Sequence, residues 1–198
     1  MTKDCGENSS IPRLIENELS IIIPEEDRDA IRNLNKDQTF VYNSIISSIK
    51  CHDNVIFFVN GPGGTGKTYL YRALLANLRS NDHIVLATTS SGIATTILLS
   101  GMTTHNRFKI PLKPDESSTF YIEKQSDLAE LIRRSSAVIW DEAPMMNKYA
   151  FEALDQIVEL PFGGKNNQLW LKTHDTVTFA HGHGTVTFAH GHTMTMGG

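Results

Sequence analysis

The chain has 198 residues, of which 40% are hydrophobic and 20% charged, with a formal net charge of −4 at pH 7. This composition is typical of a soluble globular protein with one core domain and tails, and the negative charge excludes an overall basic nucleic-acid surface. No apolar run approaches membrane-spanning length. Two cysteines without metal-site spacing indicate reduced thiols in an intracellular protein.

Residues 1–33 are polar and rich in acidic side chains, which predicts a lead-in segment with room for a short helix. The ordered domain is predicted to begin at Leu34. Asn35 is a good helix N-cap, and Gln38 three residues later completes a capping-box spacing. Apolar residues then recur four positions apart on one helix face: Val41, Ile45 and Ile49.

An apolar strand at 55–59 leads into a glycine-rich run, and a helical pattern continues to about Leu78. The run matches the phosphate-binding loop G-x-x-x-x-G-K-[ST] at every fixed position: Gly61, Pro62, Gly63, Gly64, Thr65, Gly66, Lys67, Thr68. Glycines let successive N–H groups point at phosphates, and the helix N-terminus adds its positive dipole end. Lys67 can reach the β- and γ-phosphates of ATP, and the Thr68 hydroxyl can ligate Mg²⁺.

Further strands are predicted at 84–88 and 137–140, separated by a serine-capped helix at 93–98, a long loop, and a short helix capped by Ser126. Another helix is predicted between Asn147 and Pro161. Strands that alternate with helices predict an α/β fold, a parallel sheet with helices on both faces. The third strand ends at Asp141 and Glu142, which should therefore meet the phosphate loop at one sheet edge.

In an ATPase, Asp141 would hold Mg²⁺ and Glu142 would activate the attacking water. A water-activating base favours hydrolysis over transfer to a small-molecule acceptor, although a P-loop kinase stays an alternative. The segment between Asp82 and Asp115 contains no acidic residue, but it contains three basic ones, Arg107, Lys109 and Lys113. This window is either a local nucleic-acid surface or a solvated loop.

Five motifs occur in an order and spacing that resembles the first motor domain of the Pif-type DNA helicases, in particular the helicase part of Helitron transposon proteins. They are Leu34-Asn35-x-x-Gln38, the phosphate loop, Thr88 to Ala94, Thr104 to Pro111, and Trp140 to Met145. The resemblance covers about residues 34–165 and implies a RecA-like P-loop domain. It also implies an ATP-dependent superfamily-one helicase that moves 5′-to-3′ on single-stranded DNA.

The resemblance implies roles for individual residues. Gln38 would read the adenine edge beside its capping role, and the ATP site would extend through Tyr69. The single-strand backbone would contact two groups of residues: Ser90, Ser91 and Gly92, and His105, Arg107 and Lys109. The 90–92 turn also fits plain helix-capping chemistry. The family further implies a monomer in the nucleus, with work in DNA repair, recombination, telomere maintenance or transposon replication.

The resemblance ends after Lys165, where the family continues with a strand and a Gly-Asp-Phe-Arg-Gln type motif. Residues 166–198 instead carry a nine-residue repeat, TVTFAHGHG at 176–184 and TVTFAHGHT at 185–193. The copies are expected to be disordered or to form a weak hairpin. Their His-x-His pairs suit Zn²⁺ or Ni²⁺, while a frameshift or read-through explains the tail without a metal. Residues 169–172 could fill the missing central strand.

Two further readings follow from the missing second motor domain. The chain either belongs to a helicase by descent, or acts alone as a fragment that binds ATP, Mg²⁺ and DNA without unwinding. A helicase domain would release phosphate faster with DNA and depend on Glu142. A binding fragment would not, and a kinase would need an acceptor.

Overall fold

The structure is a computed structural model and describes residues 11–51, 56–60, 63–112, 122–123, 125–143, 146, 149–150, 178–180 and 192–195. The helices are α1 (Arg13–Leu19), α2 (Glu25–Asp29), α3 (Lys36–Lys50), α4 (Lys67–Ser80), α5 (Thr104–Phe108) and α6 (Asp127–Arg134). The strands are β1 (Ile56–Asn60), β2 (Ile84–Thr89), β3 (Met102–Thr103), β4 (Ser135–Asp141), β5 (Thr178–Ala180) and β6 (His192–Thr195). Single 3-10 turns cover Ala30–Asn33 and Ala94–Thr96.

The strands form one sheet in the order β3-β2-β4-β5-β1-β6, and every neighbouring pair is parallel. The pairing of β2 with β4 places Thr89 opposite Asp141. A parallel sheet collects the carboxyl ends of its strands at one edge. The predicted parallel α/β sheet is therefore confirmed. Asp141, the last residue of β4, lies at the same edge of the sheet as the phosphate loop, which follows the carboxyl end of β1.

Both faces of this sheet are covered by helices. Val85 and Ala87 of β2 pack in a core that also contains residues of α3 and α4. Ile84 and Leu86, which alternate with them, belong to a second core with residues of α1, α5 and α6. Successive side chains of a strand point to opposite faces, so the unbroken apolar run of β2 serves two cores.

Two of the predicted helix caps, at Asn35 and Ser126, are confirmed. The Asn35 side chain accepts a hydrogen bond from the Gln38 amide at 2.8 Å, and Gln38 Oε1 accepts one from the Asn35 amide at 3.0 Å. Ser126 Oγ accepts from the Ala129 amide at 3.2 Å and begins α6. These bonds satisfy N–H groups that the first turn of each helix leaves without partners.

The acid-rich N-terminal segment differs from the expected lead-in, because α1 and α2 pack on the domain. Ile15 of α1 is 1% exposed in the second core. Asp27 of α2 forms an ion pair with Arg72 of α4 at 2.5 Å. Burial of one apolar face and a cross-helix ion pair make residues 13–33 part of the folded unit, so the domain begins before Leu34.

The central position between β1 and β4 is filled by β5, from the first copy of the tandem repeat. Phe179 lies in register with both Phe57 and Ile139. β6 begins within the second copy and pairs with the opposite side of β1. This arrangement differs from the expected hairpin, since the two described tail strands flank β1. Residues 169–172 and most of the histidine pairs lie outside the described residues.

Other predicted elements differ in detail. The helix expected at 93–98 is a 3-10 turn at Ala94–Thr96, and the loop after it contains β3 and α5. The helix predicted after Asn147 lies largely outside the described residues. In the described part of the chain, no helix has the length and apolar character needed to cross a membrane.

Candidate nucleotide and nucleic-acid site

The phosphate loop turns into α4 through two glycines in left-handed conformations. Gly64 has a φ of 84° and Gly66 a φ of 77°. A Cβ at Gly66 would stand 2.5 Å from Gln38 Nε2, so Gln38 would have to shift, and the positive φ strains any side chain at this position. Lys67 and Thr68 follow in the first turn of α4, where the N-terminal end of the helix dipole favours an anion. Gly61 and Pro62 lie outside the described residues.

The Gln38 side chain is hydrogen-bonded to the phosphate loop. Its Nε2 group donates to the carbonyl oxygens of Thr65 at 3.1 Å and Gly66 at 3.4 Å. Its Oε1 atom is the capping-box acceptor of α3. Both amide protons therefore serve the loop backbone, which makes Gln38 a link between the start of α3 and the start of α4.

Lys67 and Asp141 meet as predicted at the edge of the sheet. Lys67 is 5% exposed, and its Nζ donates to Thr65 Oγ1 at 3.4 Å. Burial lowers the pKa of Lys67, and the nearby Asp141 carboxylate works against that shift. The site therefore holds a lysine ammonium beside a buried carboxylate at the N-terminus of a helix.

Glu142 has an unusual backbone directly after β4. Its φ is 57°, in the left-handed region, and its N–H donates to Asp141 Oδ1 at 3.0 Å. Glu142 Oε2 is buried and has no hydrogen-bond partner among the described residues. A buried carboxylate oxygen in that state is costly, as is the left-handed conformation. Both features mark Glu142 as a candidate reactive group.

The donor atoms of this site suit a hard cation. Asp141 offers a carboxylate and Thr68 a hydroxyl, both oxygen ligands. Within the described residues, no group of three or more His, Cys, Asp or Glu side chains could hold a metal by itself. Mg²⁺ is usually held by one or two carboxylates together with substrate phosphates, so this sparse donor set fits a nucleotide-bound Mg²⁺.

The Ser90-Ser91-Gly92 turn lies at the same edge, directly after β2. The Ser90 hydroxyl donates to the Glu142 carbonyl at 2.7 Å and accepts from Trp140 Nε1 at 3.2 Å. Ser91 Oγ accepts from the Ala94 amide at 3.3 Å, although the residue that precedes the 3-10 turn as its N-cap is Ile93. Gly92 is exposed, and no described atom lies within 4 Å of where its Cβ would stand.

His105 and Lys109 occupy the ends of α5. His105 Nδ1 lies 3.1 Å from the Ile110 carbonyl oxygen, which can only accept, so Nδ1 carries the proton in this contact. Lys109 is exposed and caps α5 in a left-handed conformation with φ 58°. Of the predicted basic residues, Lys109 thus presents its charge at the surface.

Arg107 corrects the sequence prediction. Its guanidinium is buried, forms an ion pair with Glu18, and donates to the carbonyl oxygens of Ala87 at 3.5 Å and Ser100 at 3.3 Å. A side chain held in this way has a structural role and offers no surface for a DNA phosphate. The absence of acidic residues near it in sequence was misleading, because its carboxylate partner lies 89 positions away in the chain.

Glu18 and Arg79 are the residues that sequence reasoning missed. Arg79 donates to the carbonyl oxygens of Leu99 at 2.7 Å and Val85 at 2.9 Å, and lies 3.5 Å from Glu18 Oε2. Burial lowers the pKa of Arg79 to about 10, against the attraction of Glu18 and with the repulsion of Arg107. The helical spacing of Ile15 and Glu18, three positions apart, was the one available signal that Glu18 faces the core.

Comparison with known proteins identifies relatives of this arrangement. A model of the PIF1-like helicase family matches residues 33–168. The chain is 31% identical over 113 residues to the ATP-dependent DNA helicase PIF3 of Trypanosoma brucei brucei, a match that spans 54% of this chain and 13% of that protein.

Solved Pif1 structures share the fold. The chain is similar to Bacteroides Pif1 bound to single-stranded DNA, with a TM-score of 0.57, 21% identity, and coverage of 75% of this chain and 32% of that one. For Candida albicans Pif1 the TM-score is 0.57 and the sequence identity 23%, over 74% of this chain and 32% of that one. The chain thus spans about a third of these structures, and its fold is that of an incomplete RecA-like P-loop domain. Since the family model covers well over half of the sequence, the chain belongs to the PIF1-like helicase family.

Proposed function

We propose that this chain is the nucleotide-binding motor domain of an ATP-dependent DNA helicase, which binds ATP with Mg²⁺ and contacts single-stranded DNA. The observation that carries the proposal is the approach of Lys67 to Asp141 at the edge of a parallel sheet, with Glu142 next in the chain. This combination of a cation, a metal-ligating carboxylate and a second carboxylate is suited to phosphoryl transfer to water.

The proposed roles in hydrolysis are supported by the described positions of Lys67, Asp141 and Glu142 and by the phosphate-loop motif. The loop from Gly61 to Thr68 and the N-terminus of α4 bind the phosphates, and the Lys67 ammonium neutralises charge on the β- and γ-phosphates. Asp141 and Thr68 would hold Mg²⁺, which would supply further charge neutralisation. Glu142 accepts the proton of the attacking water. Gln38 holds the loop and, with Tyr69, borders the base.

The DNA-contacting surface is proposed to run along the 90–92 turn and the end of α5. Ser91 and Gly92 supply a hydroxyl and an open backbone, His105 is a half-buried imidazole on α5, and Lys109 supplies positive charge. Phosphate contacts of this type fix a strand without reading its sequence. Arg107 is left out of this surface because it is buried against Glu18.

The finer assignments rest on the family. They are 5′-to-3′ movement, action in repair, recombination, telomere maintenance or transposon replication, and a nuclear monomer. The named relatives are described as DNA helicases, and Bacteroides Pif1 has been solved with ADP-AlF4 and with single-stranded DNA. These descriptions support ATP and single-stranded DNA as the ligands.

A second candidate function is favoured by the share of the relatives that the chain covers. A helicase moves by opening and closing two motor domains around ATP, and this chain spans 32% of the Bacteroides Pif1 chain. On its own it is proposed to bind ATP, Mg²⁺ and DNA without separating strands. A small-molecule kinase is the weaker alternative, because Glu142 has no part in transfer to an acceptor.

Fluorescent ATP binding and phosphate release, with and without an oligo-dT strand, test these functions. Lys67→Ala should weaken ATP binding about tenfold or more, since it removes a charge-assisted contact. Glu142→Gln should leave ATP affinity within about twofold and abolish phosphate release, because it removes the proton acceptor. Lys50→Ala is the matched control, an exposed lysine at the end of α3.

The outcomes separate the candidates. DNA-stimulated release that depends on Glu142 supports the hydrolytic motor domain, while binding of ATP and DNA without release supports the binding fragment. Wild-type protein that binds no nucleotide would overturn both. Release that requires a small-molecule acceptor and ignores Glu142→Gln would point to the kinase.

A further inference from the structure

The Ser90 hydroxyl is the only direct side-chain link, among the described residues, between the 90–92 turn and Glu142. It donates its proton to the Glu142 carbonyl at 2.7 Å and accepts from Trp140 Nε1 at 3.2 Å. Trp140 is fully buried, so its indole is a fixed donor. The Ser90 amide also donates to the Asp141 carbonyl at 3.3 Å, which extends the β2–β4 pairing by one residue.

Counting protons limits what Ser90 can do. A serine hydroxyl has one proton to donate and two lone pairs that accept, whereas a DNA phosphate oxygen only accepts. The one proton is already given to Glu142, and the indole bond uses a lone pair. Ser90 therefore cannot donate to a phosphate while it holds the Glu142 carbonyl.

Glu142 depends on this contact more than an ordinary residue would. A non-glycine residue with a φ of 57° is strained and needs surrounding bonds to keep it in that conformation. The Ser90 bond to its carbonyl and the Asp141 bond to its amide are the two that flank this backbone. Loss of either bond would remove one of the two contacts that hold the backbone from which the Glu142 carboxylate projects.

We propose that Ser90 is a positioning residue for Glu142, and that a DNA phosphate on the 90–92 turn acts on ATP hydrolysis by competing for the Ser90 proton. The inference rests on the proposed function and adds a route from DNA to the catalytic carboxylate. In this proposal Ser90 couples DNA binding to ATP hydrolysis, whereas Ser91 and Gly92 supply the contacts that hold the DNA strand.

The Trp140 indole reports on this route directly. Its N–H resonance in a ¹⁵N-labelled sample shifts when the Ser90 hydroxyl changes partner, and a Trp170→Phe variant assigns it, since the chain has two tryptophans. Titration with oligo-dT should move the Trp140 resonance in the wild type. Ser90→Ala should bind the strand, by fluorescence anisotropy, yet show no such movement.

Ser91→Ala is the matched control, one residue away. It should weaken binding because it removes a phosphate donor, but the indole resonance should still move by the wild-type amount at saturation. In phosphate release, the ratio of rates with and without DNA should fall to about one in Ser90→Ala, which defines lost coupling. Ser90→Thr, which keeps the hydroxyl, should restore the ratio.

The result that overturns the inference is DNA binding that leaves the Trp140 resonance in place, or that moves it equally in Ser90→Ala. If the wild type binds no DNA, the proposed function fails and the coupling fails with it. Dispersion of the amide spectrum shows whether Ser90→Ala is folded. Ser90→Cys, which is close in volume and a weak donor, replaces it if it is not, with the same loss expected.

Discussion

Glu18 and Arg107 form a buried ion pair across 89 positions of the chain. Glu18 also lies 3.5 Å from Arg79, so one carboxylate faces two guanidinium groups. All three side chains are less than a tenth exposed. Through these two contacts Glu18 connects α1 to α5 and to α4, which holds the N-terminal segment against the rest of the domain.

Replacing Glu18 should destabilise the fold strongly. Glu18→Ala leaves two buried guanidinium groups without a counter-charge, and breaking a buried pair in this way costs about 3–5 kcal/mol. Urea unfolding followed by circular dichroism measures the loss. Glu16→Ala, an exposed acid on the same helix, should change the unfolding free energy by less than about 0.5 kcal/mol. Equal midpoints for the two variants would contradict a structural role for Glu18.

Substitution of Gln38 should weaken ATP binding, whereas substitution of Asn35 should lower only the stability of the fold. Gln38→Glu keeps the capping acceptor but sets a carboxylate against the carbonyl oxygens of Thr65 and Gly66. Repulsion should displace the loop and weaken ATP binding about tenfold or more, since it replaces two hydrogen bonds.

Asn35→Ala removes only the cap, and should cost about 1 kcal/mol of stability with ATP affinity unchanged within about twofold. Fluorescent ATP titration and urea unfolding measure both quantities. Equal ATP affinity in Gln38→Glu and the wild type would show that the loop holds its shape without Gln38.

Gly66→Ala should disturb both folding and nucleotide binding. The added methyl would meet Gln38 Nε2 at 2.5 Å in a backbone with a φ of 77°. Strain of this kind costs on the order of 1–3 kcal/mol, seen as a lower urea midpoint and weaker ATP binding. Gly92→Ala is the comparison for stability, because its added methyl meets no described atom within 4 Å and should cost far less.

The pH dependence of stability should carry a signature of Lys67. Its pKa in the folded protein is lowered by burial from the ordinary 10.5, so the folded state binds fewer protons than the unfolded state in the window below 10.5. The contribution of Lys67 to the unfolding free energy therefore rises with pH across that window.

Arg79 has a pKa of about 10 and therefore titrates in the same pH range. Subtracting the unfolding free energies of Lys67→Met from those of the wild type leaves the contribution of Lys67 alone. The difference should grow in favour of the wild type as the pH rises towards 10.5, the ordinary pKa of lysine. ATP affinity should fall over the same range as the ammonium loses its proton. A flat difference would mean that Lys67 keeps its ordinary pKa.

The parts of the fold and site that could be predicted are those with local causes. The Asn35–Gln38 box, the Ser126 cap and the apolar strands depend on neighbours a few residues away. The meeting of Lys67 with Asp141 follows from the edge rule for parallel strands.

The parts that could not be predicted depend on distant partners. Local charge placed Arg107 at a DNA surface, whereas its burial is set by Glu18 and by carbonyl groups of β2 and the following loop. The link from Ser90 to Glu142 joins the ends of two strands that are 52 positions apart. Capping and strand patterns carry no information about such bonds.

The central strand β5 uses the sequence Thr-Phe-Ala, which the chain contains again at 187–189. Side chains cannot choose between two identical segments, and closing the longer loop to the second copy would cost only about 0.2 kcal/mol more. The choice is made by β6, which begins at His192. A parallel crossover needs about a dozen residues, and the first copy leaves 181–191 for it while the second leaves 190–191. An edge strand at the end of the chain thus decides which copy completes the centre of the sheet.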